Sequence, residues 1–401
     1  MQQTGVFQSI TIQVTTWGRL VATAGAHMTE HLYVGVTTVI LPVMATALGL
    51  NLSQVGLLVS ARSLVAGFSN IPSGVLADLV NKRSVLLGLS LAILGLSTLL
   101  MSYARDFWTL LLFMGLSGIG AGGFHPQSLA ILSSAYRDRR ALALGVHDSA
   151  GNLGEVLAPL TIGFLLTSMD WRSTLQIWAI PGLAIGLSYA LLSRETNDSA
   201  LPRAKWGRSM WEDVITNRAV LGVFLISVFR TMGQVALVTF LPLYLTLGLK
   251  LSVGTMGFYV SLLFLFAGMA PSISGWASDR MGRVPMMIAG SALSAISIAT
   301  IPYLSAGLPL ALGCAVVGIA LWALRPVIFA AAMEVTPLQL AGSLVGFIFT
   351  GNMGLSFIAP ILVGMVGDAY GLERALVFIA VFPLLACLIA LTPLVRKRKE
   401  I

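Results

Sequence analysis

Long apolar runs separated by short polar breaks extend along almost the whole chain. Each run is long enough to cross the hydrocarbon of a bilayer, which takes roughly 20 mostly apolar residues in an α-helix. The runs are continuous, whereas a membrane β-strand is apolar only at every second position, so they predict helices and exclude an outer-membrane barrel. We count about twelve predicted helices, at 20–48, 52–77, 84–103, 107–133, 141–168, 173–193, 217–247, 253–278, 285–304, 308–333, 340–366 and 374–395.

The composition also indicates a membrane protein. Of the 401 residues, 57% are hydrophobic and only 10% are charged, with a mean hydropathy of +0.89. Soluble domains carry about 25% charged residues, so no water-soluble surface could be assembled from this chain. The formal net charge of +8 does not indicate nucleic-acid binding. Most of the basic residues lie in breaks that the positive-inside rule assigns to the cytoplasm.

The placement of these basic residues predicts an orientation. With the N-terminus inside, Lys82, Arg83 and Arg280 fall in the cytoplasm, as does the basic tail at 396–399. Both termini are therefore predicted to be cytoplasmic, in a multi-pass protein of a bacterial-type inner (plasma) membrane. The first 19 residues lack the features of a secretory signal. The first helix is therefore expected to serve as its own insertion signal.

Landmark residues in the first part of the chain recur about 200 positions later, which is the pattern of an internal repeat. The matched pairs are Gly74 and Gly275, Asp78 and Asp279, His125 and Arg325, Asn152 and Asn352, and Pro159 and Pro360. Their common order and offset predict two six-helix halves, at 1–193 and 217–401. The hydrophilic stretch 194–216 between them is predicted to be a cytoplasmic linker.

The segment from Gly275 to Arg283 resembles the loop signature Gly-x-x-Ser-Asp-Arg-x-Gly-Arg of the major facilitator superfamily. The first-half copy around Asp78 departs from that signature, with Leu79 in place of a basic residue and Asn81 in place of glycine. The resemblance covers essentially the whole chain. It implies an all-α membrane protein with about twelve transmembrane helices in two halves, acting as a secondary transporter. It also implies a gating role for the loop residues Asp78, Asp279, Arg280 and Arg283.

Two further segments are similar to particular branches of that superfamily. The segment from Gly120 to Pro126, and the position of His27 fifteen residues before Pro42, look like the fosmidomycin-resistance branch. The Gly- and Pro-rich helix five, with Gly151 and Pro159, resembles a motif of efflux antiporters. These resemblances imply export in exchange for protons. The alternative interpretation of the helix-five motif is close helix packing alone.

Helix one carries a polar stripe of His27, Glu30 and His31, whose spacings of three and four residues place them on one helical face. An ionisable residue at the centre of a membrane helix costs roughly 2.5–3.5 kcal/mol, so such residues usually face the bundle interior and have a function. The stripe is a candidate for proton or substrate handling. The alternative is a structural pair in which Glu30 neutralises a buried cation.

Other polar residues within the predicted helices are also site candidates: Asp148, Asn152 and Glu155 in helix five, Arg62, Arg230 and Arg325 in helices two, seven and ten, and His125 in helix four. One helix-five carboxylate could carry a coupling proton, or Asp148 could only hydrogen-bond at a gate. His125, beside Pro126, is predicted to shape a bend or a cytoplasmic gate, with a proton relay as the alternative. Arg62 and Arg230 are predicted to form a cavity for an anionic substrate. Permanent neutralisation by carboxylates is the alternative.

The leading hypothesis is alternating access driven by an ion gradient, with proton-coupled efflux of a drug or metabolite as first choice. Proton-coupled uptake of a small organic anion comes second, and a nontransporting sensor or assembly component is the alternative from another class. No nucleotide-binding, nucleophile or metal-ligand motif is visible, so we expect no enzymatic activity, cofactor or metal. The expected partners are a small-molecule substrate, protons and the bilayer. The protein is expected to be a monomer without nucleic acid.

Overall fold

A computed structural model describes residues 16–80, 82–136, 139–192, 217–335 and 341–395, and all regular structure within these ranges is helical. The first part of the chain forms α1 (Thr16–Ala47), α2 (Leu52–Val80), α3 (Arg83–Met101), α4 (Phe107–Ala135), α5 (Arg140–Leu165) and α6 (Trp171–Leu192). The second part forms α7 (Arg218–Leu243), a π-helical turn (Tyr244–Gly248), α8 (Val253–Met281), α9 (Arg283–Thr300), α10 (Leu308–Glu334), α11 (Ala341–Ser356), α12 (Ile358–Tyr370), α13 (Leu372–Ile379) and α14 (Val381–Leu391).

Eleven spans within the described ranges are long and apolar enough to cross a membrane. The twelfth is α5, which has 26 residues but is less apolar because it carries Asp148, Asn152 and Glu155. The prediction of an all-α membrane protein with about twelve transmembrane helices is therefore confirmed. The predicted linker at 194–216 lies outside the described residues, and the boundaries of the two halves remain a prediction.

The last two predicted helices differ from the structure, because each is divided into two shorter helices. The span predicted at 340–366 breaks at Phe357, between α11 and α12. Pro360 has no N–H to donate to the carbonyl four residues earlier, and its ring crowds that turn. In the same turn, the carbonyl of Phe357 accepts a hydrogen bond of 2.5 Å from the Ser60 hydroxyl of α2. Pro383 lies in the same position relative to the break at Ala380, between α13 and α14.

The helices pack into two groups. In the first group α3 packs between α4 and α6, α1 packs on α5, and α2 packs on α4. In the second group α10 packs on α8 and α9, while α14 packs on α7 and α9. The main contacts between the groups are those of α5 with α8 and of α2 with α12. A space therefore remains between the groups where α1, α2, α7 and α8 face each other.

The groups meet closely at the end of the molecule that carries the connections α1–α2 and α7–α8, which we call the closed end. Glycines allow this approach. A Cβ on Gly163 would lie 3.2 Å from the carbonyl oxygen of Val253, and a Cβ on Gly56 would overlap the carbonyl of Pro360. Small residues at such contacts let helix backbones come together.

Asp368 of α12 provides a polar contact across the closed end. Its two carboxylate oxygens accept hydrogen bonds from the backbone N–H groups of Leu52 and Ser53, at 2.8 Å and 2.9 Å. These N–H groups belong to the first turn of α2, where a helix has no internal acceptors for them. A side chain of one group thus caps a helix of the other. At the opposite end, which we call the open end, Asp148 and Arg325 are exposed.

Candidate functional site

A cavity lies between the two groups of helices and is lined by α1, α2, α5, α7 and α8. Its walls are mostly apolar, with Val34, Leu41, Val59, Val238 and Phe264 among them. The polar lining residues are Thr37, Thr38, Arg62, Ser63, Glu155, Gln234 and Thr239. A largely apolar pocket with a few convergent polar groups is the usual form of a small-molecule site.

Arg62 supplies the positive charge of this cavity. Its Nε atom is buried and has no hydrogen-bond partner. No carboxylate forms an ion pair with Arg62 within 4.0 Å in the part of the chain that the structure describes. A guanidinium stays charged and carries five N–H donors in a fork that matches a carboxylate or phosphate. The cavity therefore presents a cation to a bound molecule.

The threonine hydroxyls of the cavity already donate hydrogen bonds within the protein. Thr37, Thr38 and Thr239 each donate to a backbone carbonyl one turn earlier in their own helix, at 2.9, 3.0 and 2.7 Å. Their remaining capacity is to accept hydrogen bonds. Arg62 and the Gln234 amide are thus the side chains whose N–H groups can serve a ligand here.

Glu155 connects the cavity to a second polar region. It lines the cavity, and its Oε1 atom lies 3.0 Å from Nδ1 of His31 on α1. The Oε2 atom of Glu30 lies 3.6 Å from Nε2 of His31 and 3.9 Å from Nε2 of His125. The carboxylates of α1 and α5 therefore lie on opposite sides of one imidazole.

All four histidines of the chain meet in this region, and we call them the histidine cluster: His27, His31, His125 and His147. The ring centroid of His27 lies 4.5 Å from that of His31, 5.5 Å from that of His125 and 3.9 Å from that of His147. His27, Glu30, His31 and His125 each offer one metal-ligand atom, and these atoms lie within 4.8 Å of one another. The sequence had suggested no metal-ligand spacing.

Glycines in α5 bring that helix against the histidines. A Cβ on Gly151 would lie 2.7 Å from Cε1 and 2.9 Å from Nδ1 of His27, closer than real Cβ contacts. A Cβ on Gly154 would lie 3.1 Å from Cβ of His31. In this structure the small residues of helix five act in packing, and that packing forms the histidine cluster.

We expect Gly151→Val to displace α5 from His27 and destabilise the protein. Overpacking of a close-packed contact costs about 1–3 kcal/mol, and the thermal unfolding temperature of the purified protein should fall accordingly. Gly145→Val is the matched control, because it lies on the same helix and a Cβ there meets nothing within 4 Å. Equal losses of stability in both variants would contradict the close contact at Gly151.

The other predicted site residues are placed apart from the cavity lining. The Arg230 guanidinium is buried and donates to the carbonyl of Leu321 and the hydroxyl of Thr231, both at 3.2 Å. Asn152 packs against α8, where a Cβ on Gly268 would lie 3.4 Å from its own Cβ. The side chains that line the cavity from α1 and α7, such as Gln234, were not among the sequence candidates.

Of the predicted gating residues, Asp279 and Arg283 form an ion pair. Nη2 of Arg283 lies 2.6 Å from Oδ1 of Asp279, and its Nε lies 2.9 Å from Oε1 of Glu334 at the end of α10. Arg280 instead stacks its guanidinium over the ring of Trp276 at 4.0 Å. The side chain of Asp78 lies outside the described part of the structure. His125, predicted as a gate, belongs to the histidine cluster.

Comparisons with known proteins cover nearly the whole chain. The family profile of the Major Facilitator Superfamily matches residues 23–253 and 220–401. An uncharacterized MFS-type transporter of Bacillus subtilis, YfnC, is 24% identical, covering 96% of this chain and 95% of its own. The glycerol-3-phosphate transporter of the same organism is 26% identical. The alignment covers 88% of this chain and 86% of the transporter. Among solved structures, a bacterial homolog of the human lysosomal transporter Spinster, in an inward-facing and unoccupied conformation, superposes with a TM-score of 0.81. The two sequences are 19% identical, and the superposition covers 94% of this chain and 96% of the homolog.

Proposed function

Since the chain belongs to the Major Facilitator Superfamily, and is therefore a multi-pass membrane transporter, we propose that its substrate is a small organic anion. The observation that carries this proposal is the Arg62 side chain, which lines the cavity and has no carboxylate within 4.0 Å among the described residues. An unpaired charge inside a membrane protein is costly and is retained where it has a function. A carboxylate, phosphate or phosphonate on the substrate would neutralise it.

The name of one relative supports this choice. A protein 26% identical over most of both chains is named a glycerol-3-phosphate transporter, and glycerol 3-phosphate is a small organic anion. The anion was the second choice from the sequence, after export of a drug or metabolite. Export remains a prediction, as does the resemblance to the fosmidomycin-resistance branch.

The cavity geometry supports a route from binding to conformational change. Arg62 belongs to α2, whereas Gln234 belongs to α7, so one anion bound to both side chains would join the two groups of helices. A ligand shifts an equilibrium only by binding one state better than another. An anion that draws α2 and α7 together favours closure of the open end. With the termini in the cytoplasm, as the basic residues predict, the open end faces the cytoplasm.

Transport assays on the purified protein in liposomes test the substrate class. We expect saturable transport of at least one small phosphate, phosphonate or carboxylate, with competition among anions and none from glycerol or a cationic drug. Imposed pH gradients of either sign test protons as the coupling ion and export as the direction. Transport of neutral or cationic solutes only would overturn the proposal. So would a folded protein that moves no solute, which would favour the nontransporting alternative.

We expect Asp279→Asn to slow transport while leaving substrate affinity nearly unchanged, because Asp279 lies outside the cavity. The substitution removes one of two carboxylates on Arg283. Exposed pairs contribute about 0.2–1 kcal/mol each, so the turnover rate should fall by up to about fivefold. Glu334→Gln removes the other carboxylate and should act in the same direction. A weaker affinity at unchanged turnover would contradict a gating role.

A further inference from the structure

We propose that His27, Glu30, His31 and His125 bind one divalent first-row transition-metal ion of the Zn²⁺ class. Three imidazole nitrogens and one carboxylate oxygen form a donor set that such ions prefer. The four ligand atoms lie within 4.8 Å of one another. A tetrahedral ion with ligands at about 2.0–2.1 Å separates its ligand atoms by about 3.3 Å. Side-chain rotations of these residues would bring the ligand atoms from their present separations to this shorter one.

The hydrogen bonds of His27 and His31 place one free nitrogen on each ring. Nδ1 of His27 lies 2.7 Å from the backbone carbonyl of His147, which can only accept, so this nitrogen carries the proton. Nδ1 of His31 likewise faces the carboxylate of Glu155 at 3.0 Å. In the neutral rings Nε2 is therefore a lone-pair donor. A metal-binding histidine typically has this arrangement, with its other N–H held by a carbonyl or carboxylate.

Two of the free ligand atoms are buried without a partner. His27 is 4% exposed and its Nε2 has no hydrogen-bond partner. Glu30 is 3% exposed and its Oε2 also has none. Buried polar atoms are normally satisfied, so these two unsatisfied atoms require an explanation. A cation bound between them satisfies both atoms.

A simple hydrogen-bond network explains these positions less well. The contacts of Glu30 Oε2 with His31 Nε2 and His125 Nε2, at 3.6 Å and 3.9 Å, are too long for hydrogen bonds. They match ligands that face a common centre. The side chains of His31 and His125 are 19% and 32% exposed, which gives an ion access to the cluster.

Metal binding can be measured without transport, so this inference stands or falls independently of the anion proposal. The protein is purified without a histidine tag, because a tag would itself bind Zn²⁺. The four histidines of the chain are then the only ones in the sample. Elemental analysis after Zn²⁺ loading and dialysis should give one ion per chain. Co²⁺ loading should give the visible absorption of a four-coordinate nitrogen and oxygen site. A stoichiometry near zero for both ions would overturn the proposal.

Variants locate the site. Glu30→Gln, His31→Gln and His125→Asn each remove one ligand and should lower Zn²⁺ affinity at least about 100-fold, whereas Glu155→Gln, which only orients His31, should cost about 10–100-fold. His147→Phe is the matched control. It removes the fourth histidine but keeps the ring that stacks on His27 and the backbone carbonyl that holds it, so Zn²⁺ affinity should change less than about threefold.

Size-exclusion profiles and thermal unfolding without metal identify variants that fail to fold. If one ligand variant misfolds, the other two still test the site. Unchanged Zn²⁺ affinity in the folded ligand variants would contradict the assignment. So would an equal loss of affinity in His147→Phe.

Discussion

Replacing Arg62 by glutamine should lower anion affinity by about 100-fold or more. A bidentate guanidinium forms two charge-assisted hydrogen bonds of about 1.5–3 kcal/mol each, and each 1.4 kcal/mol corresponds to about a tenfold change in affinity. Arg62→Lys keeps the charge but loses the fork, so it should lose part of the affinity and retain the preference for anions. Isothermal calorimetry with the anion that is transported best measures both changes.

The stability of the same variant separates substrate binding from a structural role. Because no carboxylate forms an ion pair with Arg62 within 4.0 Å in the described part of the chain, Arg62→Gln removes a half-buried charge without breaking such a pair. Loss of such a charge should leave the thermal unfolding temperature equal or higher. Arg105→Gln, at an exposed arginine between α3 and α4 that does not line the cavity, is the matched control and should retain anion affinity. A destabilised Arg62→Gln with normal affinity would favour a structural ion pair.

Replacing Asp368 by asparagine should weaken the closed end and populate states in which it opens. The substitution removes the charged acceptor of the first two N–H groups of α2. Loss of a helix cap costs about 0.5–2 kcal/mol, and one to two kcal/mol is a factor of about 5–30 in an equilibrium. Spin labels at Ala47 and Tyr370, at the ends of α1 and α12, report the separation of the two groups at the closed end. In the variant a larger fraction of molecules should show an increased distance between the labels.

Asp170→Asn is the matched control for this experiment. Asp170 caps α6 within its own group of helices, accepting from the backbone N–H groups of Arg172 and Ser173 at 2.9 Å and 3.1 Å. Hydrogen bonds from the Ser173 side chain and backbone hold the pKa of Asp170 below its usual value. Its replacement should lower stability without changing the label distances. Equal distance changes in the two variants would contradict a special role for the cap between groups.

The helices could be predicted from the sequence because each apolar run is long enough to show its type by itself. The breaks in the last two spans could not. Pro42, Pro126 and Pro159 lie inside unbroken helices, whereas Pro360 follows a break. Membrane helices tolerate proline wherever a neighbour satisfies the freed carbonyl. At the break before Pro360 the hydroxyl that donates to the carbonyl of Phe357 is that of Ser60 on α2, far away in the sequence.

The site could be predicted only where its residues lie on one helix. The spacing of His27, Glu30 and His31 places them on one face, but nothing local indicates that His125 and His147 meet them from α4 and α5. Arg230 shows that a residue predicted from the sequence to line the cavity can lie outside it. Like Arg62 it is an arginine within a predicted helix, yet one turn of α7 separates it from Gln234, and only Gln234 lines the cavity. The two residues share a face of α7, but the Arg230 guanidinium turns to α10, where it donates to the carbonyl of Leu321.

Glu155 has a consequence for how the two regions affect each other. It is a wall of the cavity and, through Oε1, the hydrogen-bond acceptor of His31. An ion that takes Nε2 of His31 draws positive charge toward this carboxylate, while an anion beside Arg62 brings negative charge to its other side. The two occupancies therefore share a coupling free energy, which must be the same in both directions. By whatever factor the cation changes the affinity for the anion, the anion changes the affinity for the cation.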